Sequence, residues 1–169
     1  MYKPNDKSAS DKAVFAGNPP HIMIVEARYY EEICDELMRG AIAAIEAAGA
    51  TYERFVVPGA FEIPAAIGYS VRSHEFFGGR RRFDGYVALG CVIRGETSHY
   101  DYVCGESARG LQDLALNHAL AIGYGILTVE NEDQAWARAK VDQGNKGGEA
   151  ARACLAMLQL KHHFRLYPR

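Results

Sequence analysis

The sequence predicts an α/β fold in which a parallel sheet is covered by helices on both faces. Segments typical of buried strands alternate along the chain with segments of helical periodicity, the pattern of a parallel sheet with crossover helices. The run at residues 86–93 (YVALGCVI) is apolar, is bounded by glycine and charge, and has the length of a strand buried on both faces. Polar residues follow it directly, at the strand end where α/β folds place ligands.

Four elements are predicted before this central strand. They are a strand at residues 21–26 (HIMIVE), a helix at 31–48, a strand at 55–57 and a helix at 63–72. Gly49 is placed to end the first helix, and Pro64 is compatible only with the first turn of the second. A loop is predicted at residues 73–82, which include a glycine pair and three consecutive arginines.

Four more elements are predicted from the central strand onward. They are a helix at residues 100–118, a strand at 123–128, a helix at 131–139 and a last helix at 148–160. Asn131, followed by Glu132 and Asp133, is a typical helix start. Residues 1–20 lack sustained periodicity and are predicted to be a flexible arm, so residues 21–169 form a single domain.

Composition excludes several classes of protein. The formal net charge is -2 and the pI is about 6.3, which differs from the basic character of nucleic-acid-binding domains. The four cysteines have no C-x-x-C spacing and lie in apolar or helical contexts, which favours reduced thiols and a cytoplasmic location. The sequence predicts neither a membrane span nor the apolar core of a signal peptide.

His99 is the first candidate for chemistry. It follows Thr97 and Ser98 at a predicted strand-to-helix junction, and its imidazole can transfer protons near neutral pH. A surface or structural role is the alternative, because most histidines have one. Asp101 lies close in sequence, but without a third ligand at usable spacing no metal site is predicted.

Three further segments are candidates for binding a ligand. Residues 58–64 hold Glu62 between two prolines, which fits either a binding role or an ordinary turn. Arg138, Lys146 and the glycine-rich turn at 144–148 place cations beside a flexible backbone, which suits an anionic group, although solvated charges alone explain them better. One of Tyr29 and Tyr30 could stack on a planar ligand, although packing in the core is the commoner role of an aromatic residue.

Taken together, these segments resemble one family in order and spacing. The resemblance extends from residue 21 to about residue 160, and several motifs in register are more specific than any single one. The motifs are RYY at residues 28–30, VPGAFEIP at 57–64, LGCVIRGETSHYDYV at 89–103, GILT at 125–128, QA at 134–135, RA at 138–139 and NKG at 145–147. They are similar to the successive signatures of 6,7-dimethyl-8-ribityllumazine synthase.

The resemblance implies a fold and a reaction. The fold is a flavodoxin-like three-layer sandwich with a four-stranded parallel sheet flanked by helices. The enzyme is a transferase of riboflavin biosynthesis that condenses 5-amino-6-(ribitylamino)uracil with 3,4-dihydroxy-2-butanone 4-phosphate and releases phosphate and water. No metal or organic cofactor is implied.

The resemblance also implies roles for individual residues. Tyr29 would stack on the pyrimidine, Glu62 would accept hydrogen bonds from the ribityl chain, and His99 would be the catalytic proton donor. Arg138 would bind the phosphate, and Lys146 would lie near the pyrimidine. The remaining substrate-binding positions are Ala60 and Phe61 at the ribityl chain, Cys91, Val92 and Ile93 with backbone groups facing the heterocycle, Glu96 and Thr97 at the phosphate, and Tyr124 as a second aromatic residue.

The assembly implied is a homopentamer, or twelve pentamers in a capsid, with each site between two subunits. Tyr124, Arg138 and Lys146 would come from the neighbouring subunit. Residues 140–143 (KVDQ) differ from the Gly-Thr-Lys run of capsid-forming relatives, so a pentamer is expected. Riboflavin synthase is a candidate partner, and neither nucleic acid nor membrane is expected.

Two departures concern the site, and two alternative functions stay open. Tyr29 and Tyr30 replace the common phenylalanine and asparagine, and Glu96 places an acid near the phosphate, which weakens binding unless its side chain turns away. The chain could instead be a lumazine- or flavin-binding module without catalysis, or a structural shell subunit. A proton donor together with a phosphate cation argues against both, since neither binding nor assembly needs that pair.

Overall fold

The computed structural model describes Phe15, residues 18–79 and residues 81–166. Most of the predicted arm at residues 1–20 therefore lies outside the described residues, although Phe15 is buried in the core. The elements are strands β1 (His21–Ala27), β2 (Thr51–Val57), β3 (Gly85–Ile93) and β4 (Ala121–Val129), and helices α1 (Glu31–Ala47), α2 (Ile63–Phe77), α3 (His99–His118), α4 (Glu132–Ala139) and α5 (Lys146–His163).

The four strands form one parallel sheet in the order β2-β1-β3-β4. Helices α1, α4 and α5 cover one face, and α2 and α3 cover the other. The predicted three-layer α/β fold with four parallel strands is confirmed. None of the helices in the described part of the chain is both long enough and apolar enough to span a membrane.

Alternation along the strands divides the core into two layers. On β1, Ile24 belongs to the cluster under α1, α4 and α5, whereas its neighbours Met23 and Val25 belong to the cluster under α2 and α3. Successive strand residues point to opposite faces, so an apolar run such as HIMIVE fills both layers at once. The two central strands, β1 and β3, are buried along most of their length, as the sequence predicted.

Several element boundaries differ from the prediction, among them those of β2, α2 and α5. Strand β2 begins at Thr51 rather than at residue 55, because an edge strand can expose polar residues such as Arg54. Helix α2 continues to Phe77, through half of the segment predicted as a loop, and ends at Gly78 with a φ of 70°. Helix α5 begins at Lys146, two residues early, where the Asn145 side chain caps it.

The glycines at the start of α5 serve close packing, so the prediction of a flexible turn was wrong there. A Cβ atom at Gly147 would lie 1.9 Å from the carbonyl oxygen of Leu37 on α1. A Cβ atom at Gly40 on α1 would lie 2.1 Å from the side-chain oxygen of Asn145. Glycine at these positions lets α1 and α5 approach each other closely, which fixes the start of α5.

Candidate active site

The carboxyl ends of three parallel strands bring most of the candidate residues together. We call this end of the sheet the C-terminal edge, as distinct from the edge strands β2 and β4. Ala27 at the end of β1 pairs with Val57 at the end of β2, and the adjacent strand β3 ends at Ile93. Tyr29 lies two residues after the end of β1, and its side chain is 78% exposed. Its centroid lies 5.0 Å from that of Tyr30 in an edge-on arrangement, which leaves the Tyr29 ring accessible to a planar ligand.

A short 3-10 turn, Ala60–Glu62, follows β2 at the same edge. Ala60 is buried against the α2 and α3 layer, whereas Phe61 is 54% exposed and Glu62 is exposed. Pro64 occupies the first turn of α2, as predicted, where its missing N–H costs nothing. The buried anchor and the proline thus present Phe61 and the Glu62 carboxylate at the surface.

The last three residues of β3 form the middle of this edge. Cys91 is buried, and Val92 and Ile93 are partly buried. Burial raises the pKa of the Cys91 thiol to about 12, so it stays protonated at neutral pH and is a poor nucleophile. This segment can therefore offer its backbone and its shape rather than thiol chemistry.

His99 is the first residue of α3, and its side chain is exposed. Its backbone N–H lies 3.4 Å from the hydroxyl oxygen of Thr97, and Glu96 and Thr97 are also exposed in the preceding loop. The first turn of a helix offers unpaired N–H groups and a positive dipole end, which suit an anion. This junction therefore combines a proton carrier with an anion-binding backbone.

Arg94 was not predicted as a site residue, yet it connects this junction to the rest of the sheet. Its Nε donates to Glu130 at 2.9 Å, and its Nη1 donates to Asp101 on α3 at 3.2 Å. Its guanidinium also stacks over the Tyr100 ring at 4.0 Å from the ring centroid. The only sequence signal was an arginine directly after the central strand.

Glu26 is a second residue that the sequence analysis missed. Its side chain is fully buried on β1, yet it accepts hydrogen bonds from Arg28 at 3.1 Å and from Arg54 at 2.8 Å. Arg28 also pairs with Asp35 on α1 at 2.8 Å. This network fixes the chain just before Tyr29, and an acid inside an apolar strand was its sequence signal.

The remaining three candidates lie on elements other than α3. Tyr124 lies on the edge strand β4 and is partly exposed, and its pKa is raised by burial. Arg138 is exposed on α4, where its Nη1 donates to the carbonyl of Gln134 at 3.0 Å. Lys146 pairs with Glu149 on α5 at 2.5 Å. Both cations thus lie in the layer opposite α3 and contact their own helices.

Two cavities are lined by residues other than the candidate site residues. A cavity of about 310 Å³ at the other end of the sheet is lined by His74, Arg81 and Lys161 among others. One of about 450 Å³ is lined by residues of α1 and α4, including Trp136. Among the described residues, no cluster of three or more histidine, cysteine or acidic side chains could hold a metal ion.

Comparison with known proteins identifies the family. The family model described as 6,7-dimethyl-8-ribityllumazine synthase matches residues 19–162. A 6,7-dimethyl-8-ribityllumazine synthase 1 of Rhizobium meliloti is 57% identical over 143 residues, covering 85% of this chain and 92% of the relative. A 6,7-dimethyl-8-ribityllumazine synthase of Bartonella tribocorum is 55% identical over 145 residues, covering 86% and 92%. One of Agrobacterium fabrum is 55% identical over 142 residues, covering 84% and 95%. The chain therefore belongs to the 6,7-dimethyl-8-ribityllumazine synthase family of transferases.

Proposed function

We propose that this protein condenses 5-amino-6-(ribitylamino)uracil with 3,4-dihydroxy-2-butanone 4-phosphate to give 6,7-dimethyl-8-ribityllumazine, phosphate and water. Family membership supports a role in riboflavin biosynthesis. The observation that carries the proposal is the exposed His99 at the first turn of α3, on the same sheet edge as the exposed Tyr29 and Glu62. That edge offers a stacking ring, a hydroxyl acceptor, a proton carrier and an anion-binding helix end.

In this proposal the two substrates occupy adjacent positions along this edge. The pyrimidine stacks on Tyr29, and its ribityl hydroxyls donate to Glu62, with Ala60 and Phe61 shaping the channel. Cys91, Val92 and Ile93 offer backbone groups to the heterocycle. The phosphate of the second substrate lies at Glu96, Thr97 and the first turn of α3.

The chemistry needs proton transfer and positioning rather than a protein nucleophile. The primary amine attacks the ketone carbonyl, and loss of water gives an imine. Loss of the C3 proton and of the C4 phosphate leaves an enol, which tautomerises to a ketone at C3 and so provides the second carbonyl. The ribityl-bearing amine attacks this carbonyl, and loss of a second water closes the ring. Each of these steps moves protons, and His99 is placed to transfer them beside the phosphate. Holding two reactants in register can provide much of the rate enhancement by itself.

A homopentamer completes the site in this proposal. Arg138 and Lys146 lie in the layer opposite His99, so a neighbouring subunit is the natural source of both cations, and of Tyr124 on the edge strand. Exposed apolar side chains such as Val56, which is 64% exposed, support association between subunits. The four unpaired cysteines support a cytoplasmic location for the assembly.

The direct test mixes the purified protein with both substrates and follows the fluorescence of the lumazine product. We expect turnover by the wild type and a large loss in the His99→Ala variant. Binding of the pyrimidine or of the lumazine without turnover would identify a binding module instead. Assembled rings that neither bind nor react would identify a shell subunit.

A further inference from the structure

We propose that Arg94 is a positioning residue that holds His99 and the start of α3 in the geometry needed for proton transfer. The inference rests on the proposed function, because it assigns how that site keeps its shape. Arg94 follows the central strand, and its contacts reach β4, the loop after β4 and α3. Its backbone N–H donates to the carbonyl of Val129 on β4 at 2.9 Å, its Nε donates to Glu130 at 2.9 Å, and its Nη1 donates to Asp101 on α3 at 3.2 Å.

The loop between Arg94 and His99 has little packing of its own. The side chains of residues 96–98 are exposed, and a Cβ atom added at Gly95 would have no atom within 4 Å. Two hydrogen bonds shape this turn, and both are local. The Asp101 N–H donates to the Ser98 carbonyl at 3.0 Å, and the His99 N–H donates to the Thr97 hydroxyl at 3.4 Å. Local bonds shape the turn, but they do not fix its direction relative to the sheet.

The Arg94 guanidinium links this turn to the sheet. It is stacked 4.0 Å from the Tyr100 centroid and hydrogen-bonded on two sides, so it ties the first turn of α3 to the end of β3 and to Glu130 after β4. His99 precedes Tyr100, so a displacement of this turn moves its imidazole directly. Exposed ion pairs contribute little to folding stability, so the Arg94 side chain can be removed without unfolding the protein.

The same contacts argue that Arg94 is not a phosphate ligand. Glu130 and Asp101 both face the guanidinium, so its charge is already balanced before any phosphate arrives. A phosphate cation and a positioning residue differ in kinetics. Loss of a cation raises the half-saturating concentration of the phosphate substrate, whereas loss of positioning lowers kcat.

The test compares Arg94→Met with the matched control Arg109→Met. Arg109 lies on α3 and also pairs with two carboxylates, Glu106 at 2.7 Å and Asp113 at 2.6 Å, but it is remote from the candidate site. We expect Arg94→Met to lower kcat about ten- to a hundred-fold, since small misplacements of reacting groups have effects of that size. The KM values of both substrates and the melting temperature should stay close to those of the wild type, and Arg109→Met should retain full activity.

A double-mutant cycle separates positioning from a general structural role. In the His99→Ala background, Arg94→Met should cause almost no further loss of kcat, because the imidazole that it positions is already absent. Arg94→Lys should recover only part of the activity, since an ammonium keeps the charge but not the stacked planar fork. If Arg94→Met does not fold, Arg94→Lys and Glu130→Gln can replace it in the same double-mutant cycle. We expect each of them to lower kcat less than Arg94→Met would.

Three results would overturn the inference. They are full activity in Arg94→Met, a loss confined to the KM of the butanone phosphate, and a loss that multiplies with that of His99→Ala. Each can occur while the wild type and Arg109→Met still make lumazine, so the proposed function would stand. A wild type without turnover would refute the proposed function instead.

Discussion

His99 and Arg138 lie on helices that cover opposite faces of the same sheet within one chain. His99 begins α3, whose buried Leu111 belongs to the core layer shared with α2. Arg138 lies on α4, whose buried Ala135 belongs to the layer shared with α1 and α5. The proposed proton carrier and the proposed phosphate cation are therefore positioned by separate layers, and their contributions can be measured separately.

Replacement of His99 by alanine should slow turnover by roughly ten- to a thousand-fold, because general acid-base catalysis contributes about that much. Binding of the pyrimidine should change little, since in the proposed site Tyr29 and Glu62 provide its contacts. Single-turnover rates and equilibrium titration with the pyrimidine would test both statements. Full activity in His99→Ala would refute its role as the proton donor.

Replacement of Arg138 by alanine should raise the half-saturating concentration of the butanone phosphate far more than that of the pyrimidine. A guanidinium binds a phosphate with paired, charge-assisted hydrogen bonds, and only one substrate contains that group. In the free chain, Nη1 of Arg138 donates to a carbonyl of its own helix, so its loss should not disturb the fold. Steady-state kinetics with each substrate varied in turn would measure the difference, and equal effects on both would indicate general damage.

The sequence predicted where His99 lies but could not predict the contacts that position it. A polar residue after an apolar strand run marks a strand-to-helix junction, and His99 is indeed the first residue of α3. The sequence pattern could not predict the partners of Arg94 and Glu26. Glu130 is 36 residues from Arg94, and Arg54 is 28 residues from Glu26, so both pairs depend on the register of the sheet.

Replacement of Gly147 by alanine should destabilise the protein by about 1–3 kcal/mol or more, as overpacking does in a closed interface. The added Cβ atom would lie 1.9 Å from the backbone oxygen of Leu37, and backbone cannot turn away as a flexible side chain can. Gly68→Ala is the matched control, because its nearest atom would be a Leu114 methyl at 3.9 Å. That helical substitution should be neutral or stabilising by up to about 1 kcal/mol. Chemical denaturation would compare the two variants.

The cysteines should be poorly reactive in the folded protein at pH 8.5. Burial raises the pKa of Cys34 to about 11 and the pKa values of Cys91 and Cys154 to about 12, and it also raises the pKa of the half-buried Cys104. After brief alkylation, mass spectrometry should find the buried Cys34, Cys91 and Cys154 unmodified in the folded protein. The same three thiols should be modified after unfolding. Rapid modification of Cys91 in the folded protein would contradict its burial near the end of β3.

The same shifts predict a loss of stability at alkaline pH. Above the ordinary thiol pKa of about 8.5 the unfolded chain releases these protons, whereas the folded chain keeps them. The folded state then binds more protons, so the free energy of unfolding should fall as the pH rises from about 9 toward 11 and 12. Denaturation at several pH values would measure the slope, and Cys34→Ala should reduce it.

Helix ends were the least predictable part of the fold. The end of α2 was predicted at residue 72, but the helix continues until Gly78, whose positive φ ends it. Phe76 and Phe77 are more than 80% exposed, so the periodicity of buried residues had already stopped before the helix did. The pattern of apolar residues reports which face is buried, and a helix can extend beyond its buried face.

The opposite positions of His99 and Arg138 lead to a test of a site shared between subunits. If each site takes His99 from one subunit and Arg138 from its neighbour, each single variant damages every site of its own ring. In a ring that contains both His99→Ala and Arg138→Ala chains, some junctions pair an intact His99 with an intact Arg138. Those junctions should be active, because no contact within them is altered.

We therefore expect co-refolding of the two variants to restore a substantial part of wild-type activity, whereas mixing preassembled rings should restore little unless subunits exchange. The restored activity requires that His99 and Arg138 of one site come from different subunits. If both residues served a site within one chain, every site in a mixed ring would contain one defect, and activity would equal the sum of the two variants. Native mass spectrometry would confirm that the rings are mixed, and lumazine fluorescence would measure their turnover. Mixed rings no more active than that sum would refute the shared site, even if each single variant behaves as predicted.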